Sequence, residues 1–439
     1  MTHAPSREFI TGRIVSGGVV IEDGALAFED GRIIYAGAAS GLRAAAGHDD
    51  GGWTRGPEVP GDSMILPGLV DLHCHGGNGG DFSSGEDQQA RSAIDFLHRS
   101  GTTTLLASMV TASRPDLLKG IHALRRLVDE ELVAGIHLEG PFLSHARCGA
   151  QNPEWLLEPD LQLATELIDA AAGTLKSMTY APELPGANDL VNTLAAAGVL
   201  PSLGHTDSDA ETAAASLAAA LTALDSASIA ASGASPARPA SVAAGNSTAS
   251  GSSPRPTVTH LFNGMPPMHH RSPGPVPACL RVAKAGNAVV EMIADNVHLA
   301  PQTVVSVFEL VGARNIALIT DSMAAAGLSD GTYTLGPSAV TVRDGVATVD
   351  STGSIAGGMA TMLQVLQHCV DAGVPLTDAV AAATEVPATA MGLGHDAGRL
   401  SEGYRADAII VSRDWELLNV LRNGEWLEPL ALANGFTLR

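Results

Sequence analysis

The chain has 439 residues, 45% hydrophobic and only 16% charged. That length exceeds one small domain, and that apolar content excludes global disorder. Twenty-five Lys and Arg against 47 Asp and Glu leave a formal net charge of −22, which argues against nucleic acid or an anionic membrane as partner.

The first 66 residues read as short strands and turns. Residues 18–22 and 25–28 are apolar runs, and Glu29-Asp30-Gly31-Arg32 signals a turn before a further run at 33–36. The last stretch, 398–439, has the same texture, with Ala408-Ile409-Ile410-Val411 and an Asn423-Gly424 turn. These two ends predict one small β-sandwich built from residues 1–66 and 397–439. Between them, residues 67–396 alternate apolar β-like runs with Ala/Leu-rich helical stretches. The strand candidates are 69–75, 103–109, 134–139, 176–182, 199–205, 257–261, 288–295 and 315–321. Such alternation predicts parallel βαβ units, and eight of them predict a closed (β/α)8 barrel of the TIM type, in the α/β class. Residues 222–256, rich in Ala, Ser, Gly and Pro, are expected to be a flexible low-complexity insertion. No run is expected to be long and apolar enough for a membrane helix, and the N-terminus lacks the basic-then-apolar pattern of a signal peptide. Four cysteines without CxxC spacing fit a reducing cytoplasm.

Barrel enzymes keep their chemistry at the C-terminal strand ends, and polar residues mark that end here: His73, His75, Glu139, His205, His260, Asp295 and Asp321. Alternation along a strand puts His73 and His75 on one face and Cys74, a packed thiol, on the other. Two imidazoles on one face can chelate a divalent ion. Glu139, in His137-Leu138-Glu139-Gly140-Pro141, joins His205 and His260 as one carboxylate and two imidazoles, a common open catalytic metal set. His137 is expected behind the ligands rather than among them. Asp321 ends an apolar strand at the mouth, where it can act as general acid and base; capping a helix is the alternative. Arg271 and His298 lie in loops after the sixth and seventh strands, and a guanidinium there could hold a phosphate in a fork. From spacing alone, Arg271 could equally be solvated.

Pro67-Gly68-Leu69-Val70-Asp71-Leu72-His73-Cys74-His75-Gly76 resembles the first metal motif of the amidohydrolases. His137-Leu138-Glu139-Gly140-Pro141-Phe142, Gly204-His205-Thr206, Thr259-His260-Leu261-Phe262-Asn263-Gly264-Met265, Asp295-Asn296-Val297-His298, Thr320-Asp321 and Ser354-Ile355-Ala356-Gly357-Gly358 narrow the resemblance to that family's N-acetylglucosamine-6-phosphate deacetylases. The resemblance covers about 10–425. It implies Glu139, His205 and His260 as principal metal ligands, His73 and His75 as ligands of a second ion, and Asp321 as acid/base. It implies one or two divalent ions per subunit, zinc foremost, and a homodimer acting on a small amino sugar phosphate. Asn263, Gly264, Arg271 and His298 are implied as sugar-phosphate contacts, and Ile355, Ala356 and Gly357 as a sugar-facing turn. Two departures stand out. Gln151, after Gly149-Ala150, replaces a His thought to polarise the substrate carbonyl, with Cys148 unassigned beside it; and 55 residues separate His205 from His260, more than is usual. Two other readings are another amidohydrolase, of cyclic amides or a deaminase, and a non-catalytic barrel. The first often needs a carboxylated lysine at the end of the fourth strand, whereas Lys176 lies at its start. The second typically loses ligands that are all present here.

Overall fold

The computed structural model describes residues 7–45, 52–232 and 254–430. Its centre is a nearly closed barrel of eight parallel strands in chain order: Leu69–Cys74, Thr102–Val110, Gly135–Glu139, Leu175–Tyr180, Leu200–Leu203, Thr257–Val258, Val289–Met292 and Ile316–Leu318. Each falls at an expected strand. All eight are buried almost throughout, which explains their continuous apolar runs: a parallel sheet covered by helices has no wet face. The helices carry the complementary stripe. In Arg114–Asp129, Leu117, Ile121 and Leu124 are buried at helical spacing, and the Ser113 side chain caps the first turn.

The first and eighth strands meet at their C-terminal ends. The Asp321 N–H donates to His73 O (2.9 Å), and the His75 N–H to Ser322 O (2.7 Å). Beneath this seam lies Asp71, fully buried. It accepts hydrogen bonds from the Thr320 hydroxyl (2.5 Å) and from the backbone N–H groups of His73 (3.2 Å) and Thr320 (3.4 Å). Burial pushes its carboxyl up to about 7, against those three donors.

Both ends of the chain contribute to one further sheet of eight strands. Arg7–Ser16, Val19–Glu29, Arg32–Ala38, Thr54–Arg55 and Met64–Pro67 come from the N-terminal side, and Ala408–Val411, Leu417–Arg422 and Glu425–Leu427 from the C-terminal side. The joint is the antiparallel pairing of Met64–Pro67 with Ala408–Val411. A third sheet, absent from the sequence expectations, follows the eighth barrel strand: Gly331–Leu335, Ser338–Arg343, Val346–Val349 and Ile355–Gly357.

Two expectations need correction. Residues 222–232 are not a flexible insertion but the end of a 23-residue helix, Ala210–Ser232; alanine is the strongest helix former, and this run is full of it. Residues 233–253 of that expected insertion lie outside the described residues. The same helix, over Ala210–Ala231, is also long and apolar enough to cross a membrane by length and composition, with mean hydropathy 1.4. Alanine supplies most of that character: Ala213, Leu217, Ala220 and Leu224 form its buried stripe, and 28% of the stretch is buried.

Replacing Asp71 by Ala would leave the Thr320 O–H and two backbone N–H groups without their acceptor inside the barrel. We expect a loss of about 2–4 kcal/mol of stability, read as a lower denaturant midpoint, whereas removal of the exposed Asp95 side chain should cost far less.

Candidate metal centre

The ligand-bearing residues are turned into the mouth by unusual backbone. His205, His260 and Asp321 have φ of 46°, 28° and 48°, in or near the left-handed region that non-glycine residues seldom adopt. Each follows a barrel strand and swings its side chain over the strand end. Gly264, at φ +60°, makes room for this: a Cβ there would stand 2.9 Å from His205 Nδ1.

Two groups of metal-competent side chains result: Glu139, His205 and His260, and His73, His75 and Asp321. In the first, Glu139 Oε1 lies 2.8 Å from His205 Nε2 and 2.9 Å from His260 Nε2, which are 3.1 Å apart. In the second, Asp321 Oδ1 lies 3.4 Å from His73 Nε2 and 3.3 Å from His75 Nε2, again 3.1 Å apart. Glu139 Oε2, 3.1 Å from His75 Nε2, links the two. Cys74 points away, buried against Leu106 O, and the Lys176 Nζ is bound to Gly173 O at the strand start, outside the site.

The donor set fits divalent ions. His205 Nδ1 donates to the Arg147 carbonyl (2.8 Å), so in the neutral ring Nε2 is a bare lone pair. That lone pair faces a carboxylate oxygen and another imidazole nitrogen, an arrangement that needs a shared electrophile. Without an ion, protons fill this role. Burial opposes charge on His75, but hydrogen bonds to Asp321 and Glu139 outweigh it and raise the ring to about 9. His73 and His205 are raised against burial in the same way, chiefly by Asp321 and Glu139 respectively. Burial would raise Glu139 and Asp321, yet the surrounding imidazoles hold both below the usual carboxylate range.

All of these groups except the fully buried His73 form the floor of a cavity of about 280 Å³, lined also by Gly149, Ala150, Gln151, Asn263, Gly264, His298, Ile355 and Ala356. Leu335 and Ser354, from the third sheet, complete a wall that sequence reasoning missed. Gln151 is buried and committed: its Nε2 donates to Glu139 Oε2 (2.5 Å), and its Oε1 accepts the Thr111 N–H (2.7 Å). His298 Nδ1 lies 2.8 Å from Asp295 Oδ2; burial opposes its charge, but Asp295 outweighs that and raises the ring. His137 stands behind the ligands, its nitrogens 2.9 Å from the Ser108 and Thr179 hydroxyls.

Two expected contacts fall elsewhere. Arg271 does not line this cavity; it is exposed, with Nη1 2.8 Å from His270 Nε2. Gly357 lies behind Asp321 rather than facing the cavity, since a Cβ on it would stand 2.7 Å from Asp321 O. Asp71 and Glu291, both buried beside the ligands, escaped notice because a lone carboxylate within an apolar run looks like a surface position. A larger cleft of about 420 Å³ opens where the second and third barrel strands begin. Its Arg32 and Arg405 are already paired with Asp396, and barrel chemistry belongs at the other end.

A model of the amidohydrolase family matches residues 64–427. The chain belongs to the amidohydrolase family. This amidohydrolase is 32% identical over 376 residues to the N-acetylglucosamine-6-phosphate deacetylase of Bacillus subtilis, covering 84% of this chain and 85% of that one. It is 31% identical to the enzyme of that name from Vibrio furnissii, over 80% of each chain. Among solved structures, a variant of the Mycobacterium smegmatis N-acetyl-D-glucosamine-6-phosphate deacetylase, in complex with N-acetyl-D-glucosamine-6-phosphate, has a TM-score of 0.81. Its identity is 36%, over 96% of this chain and 99% of that one.

Protons and a divalent ion compete for the same nitrogens. His75 is protonated below about 9 and must lose that proton to ligate. Ion affinity should therefore rise with pH through the neutral range, by up to tenfold per unit for each proton released, and level off once these rings are neutral. Isothermal titration of metal-free protein in buffers of different ionisation enthalpy would count those protons.

Proposed function

We propose that this amidohydrolase removes the acetyl group from N-acetylglucosamine 6-phosphate, giving glucosamine 6-phosphate and acetate. The observation that carries the reading is the convergence of Asp321 with two ligand groups on the floor of one cavity. The similarity to deacetylases over most of both chains supplies the substrate. Glu139, His205 and His260 would hold one divalent ion, and His73, His75 and Asp321 the position of a second. A bound ion supplies Lewis acidity, which acidifies water and polarises an amide carbonyl.

The protein's own groups supply the rest. Asp321, kept ionised by its imidazole neighbours, accepts the proton of the attacking water and returns it to the departing amine nitrogen. Gln151 holds Glu139 in place. Because both ends of its amide are engaged, its second N–H is the donor left for a substrate oxygen. Asn263, Gly264 and His298 are assigned to the sugar phosphate, with His298, raised by Asp295, as the cationic partner. Ile355 and Ala356 face the sugar.

Zinc suits the nitrogen-rich donor set. Cytoplasmic residence suits four free cysteines. A homodimer would give the exposed Arg271 a phosphate to bind in a neighbouring copy. A division into a terminal domain, 1–66 with 397–439, and a barrel domain, 67–396, is supported by the separate buried cluster around Ile10, Leu26, Phe28, Ile65 and Ile410. A cyclic-amide reading lacks its strand-end lysine, since Lys176 lies outside the site.

Asp321→Asn should lower kcat by about 10²–10⁴-fold while the protein retains ion at Glu139, His205 and His260, as measured by elemental analysis. Normal turnover would refute the assignment. Chelator dialysis should abolish acetate release, and re-addition of zinc should restore it. Acetate release should be at least ~100-fold faster, in kcat/KM, from the 6-phosphate than from N-acetylglucosamine itself; equal rates would exclude phosphate recognition.

A further inference from the structure

Glu291 has no part in the chemistry described above, yet it is a carboxylate 2% exposed inside a barrel. It sits on the seventh strand between Val290 and Met292, where burial of an unpaired charge is costly. Among the described residues, no lysine or arginine pairs with it. Its neighbours are His73 Nδ1, 3.4 Å from Oε2, and the Ser202 hydroxyl, 3.4 Å from Oε1. His73 Nδ1 has no other hydrogen-bond partner, and His137, packed edge-on against His73 with ring centroids 4.5 Å apart, has both nitrogens occupied by hydroxyls. In the same ligand group, His75 Nδ1 has no hydrogen-bond partner at all.

We infer that Glu291 is a positioning residue that holds the Nδ1–H of His73 and thereby turns a bare Nε2 toward His75, Asp321 and Glu139. A carboxylate can only accept, and a neutral imidazole carries one hydrogen. Facing Glu291, that hydrogen stays on Nδ1, and the lone pair of Nε2 is left for an ion. The first ligand group has a counterpart in the Arg147 carbonyl behind His205; Glu291 does the same for the second from across the barrel. Its action is selective, because its side chain makes its hydrogen bonds to His73 and Ser202 and none to Glu139, His205 or His260. A carboxylate behind a ligating histidine also raises the basicity of that ligand.

The inference rests on the reading of His73, His75 and Asp321 as an ion site, so one arm of its test avoids ions altogether. In metal-free protein labelled with ¹⁵N-histidine, at a pH high enough to leave the His73 ring neutral, the His73 resonance, assigned through His73→Asn, should report the Nδ1–H tautomer. It should shift toward a mixture of tautomers in Glu291→Leu, or in Glu291→Met should the leucine variant not fold. Glu291→Gln, whose amide oxygen accepts the same hydrogen, should keep the wild-type tautomer. In zinc titrations, the apolar variant should bind about 10–100-fold more weakly at the site that His75→Ala also loses, with the site lost in His205→Ala unchanged. An unaltered His73 tautomer in the apolar variant would overturn the proposal, and so would equal weakening of both sites. A tautomer shift without any second ion would uphold the role of Glu291 and refute the two-ion reading instead.

Discussion

The carboxylate of Glu139 is the point on which the site turns. One oxygen meets His205 and His260, and the other meets His75 and Gln151. Those partners come from the first barrel strand, the ends of the fifth and sixth, and the loop after the third. None can reach the carboxylate unless the strands close into a ring and their ends fold inward. The positive φ angles at His205, His260 and Asp321 are the local expression of that demand. Each costs on the order of 1–3 kcal/mol and persists only where the surroundings over-determine it. Here the His205 ring is tied to Arg147 O, and the Asp321 carbonyl accepts the Gly358 N–H at 2.7 Å.

Much of this was legible in the sequence because the barrel writes its chemistry in one place. The eight strands are apolar runs bounded by turns, and six of them have His, Glu or Asp at the strand end or within three residues beyond it. The HxH spacing at His73 and His75 declares a shared face without any structure. Other parts were hidden for physical reasons. Asp71 and Glu291 act inside strands, where one carboxylate in an apolar run leaves no periodic signal. The hairpins of 331–357 alternate clearly, as in Ala339-Val340-Thr341-Val342, but follow the last barrel strand and were overlooked. Residues 222–232 were misjudged because alanine buries little surface yet favours helix strongly. Arg271 could not be placed by spacing, since its loop carries it away from the cavity.

Charge sets a separate problem. A chain with net charge −22 does not draw a phosphate ester to itself, so attraction has to be local. Among the described residues lining the cavity, none is Lys or Arg. His298, backed by Asp295, is the imidazole there outside the two ligand groups whose surroundings favour the charged form. The Asp295 carboxylate also accepts the N–H groups of Val297 and His298, so the same residue shapes the loop and sets the charge of the ring it presents.

The small sheet after the eighth strand has a buried cluster of its own, built from Leu335, Val340, Val342, Val349 and Ala356. Leu335, Ser354, Ile355 and Ala356 reach the cavity from it, while the ion ligands come from the barrel. On the proposed reading, a sugar would rest against this sheet while the barrel and its loops hold the ions and the phosphate. Drift in the hairpins can therefore re-tailor which molecules enter, while the strand-end chemistry beneath stays as it is.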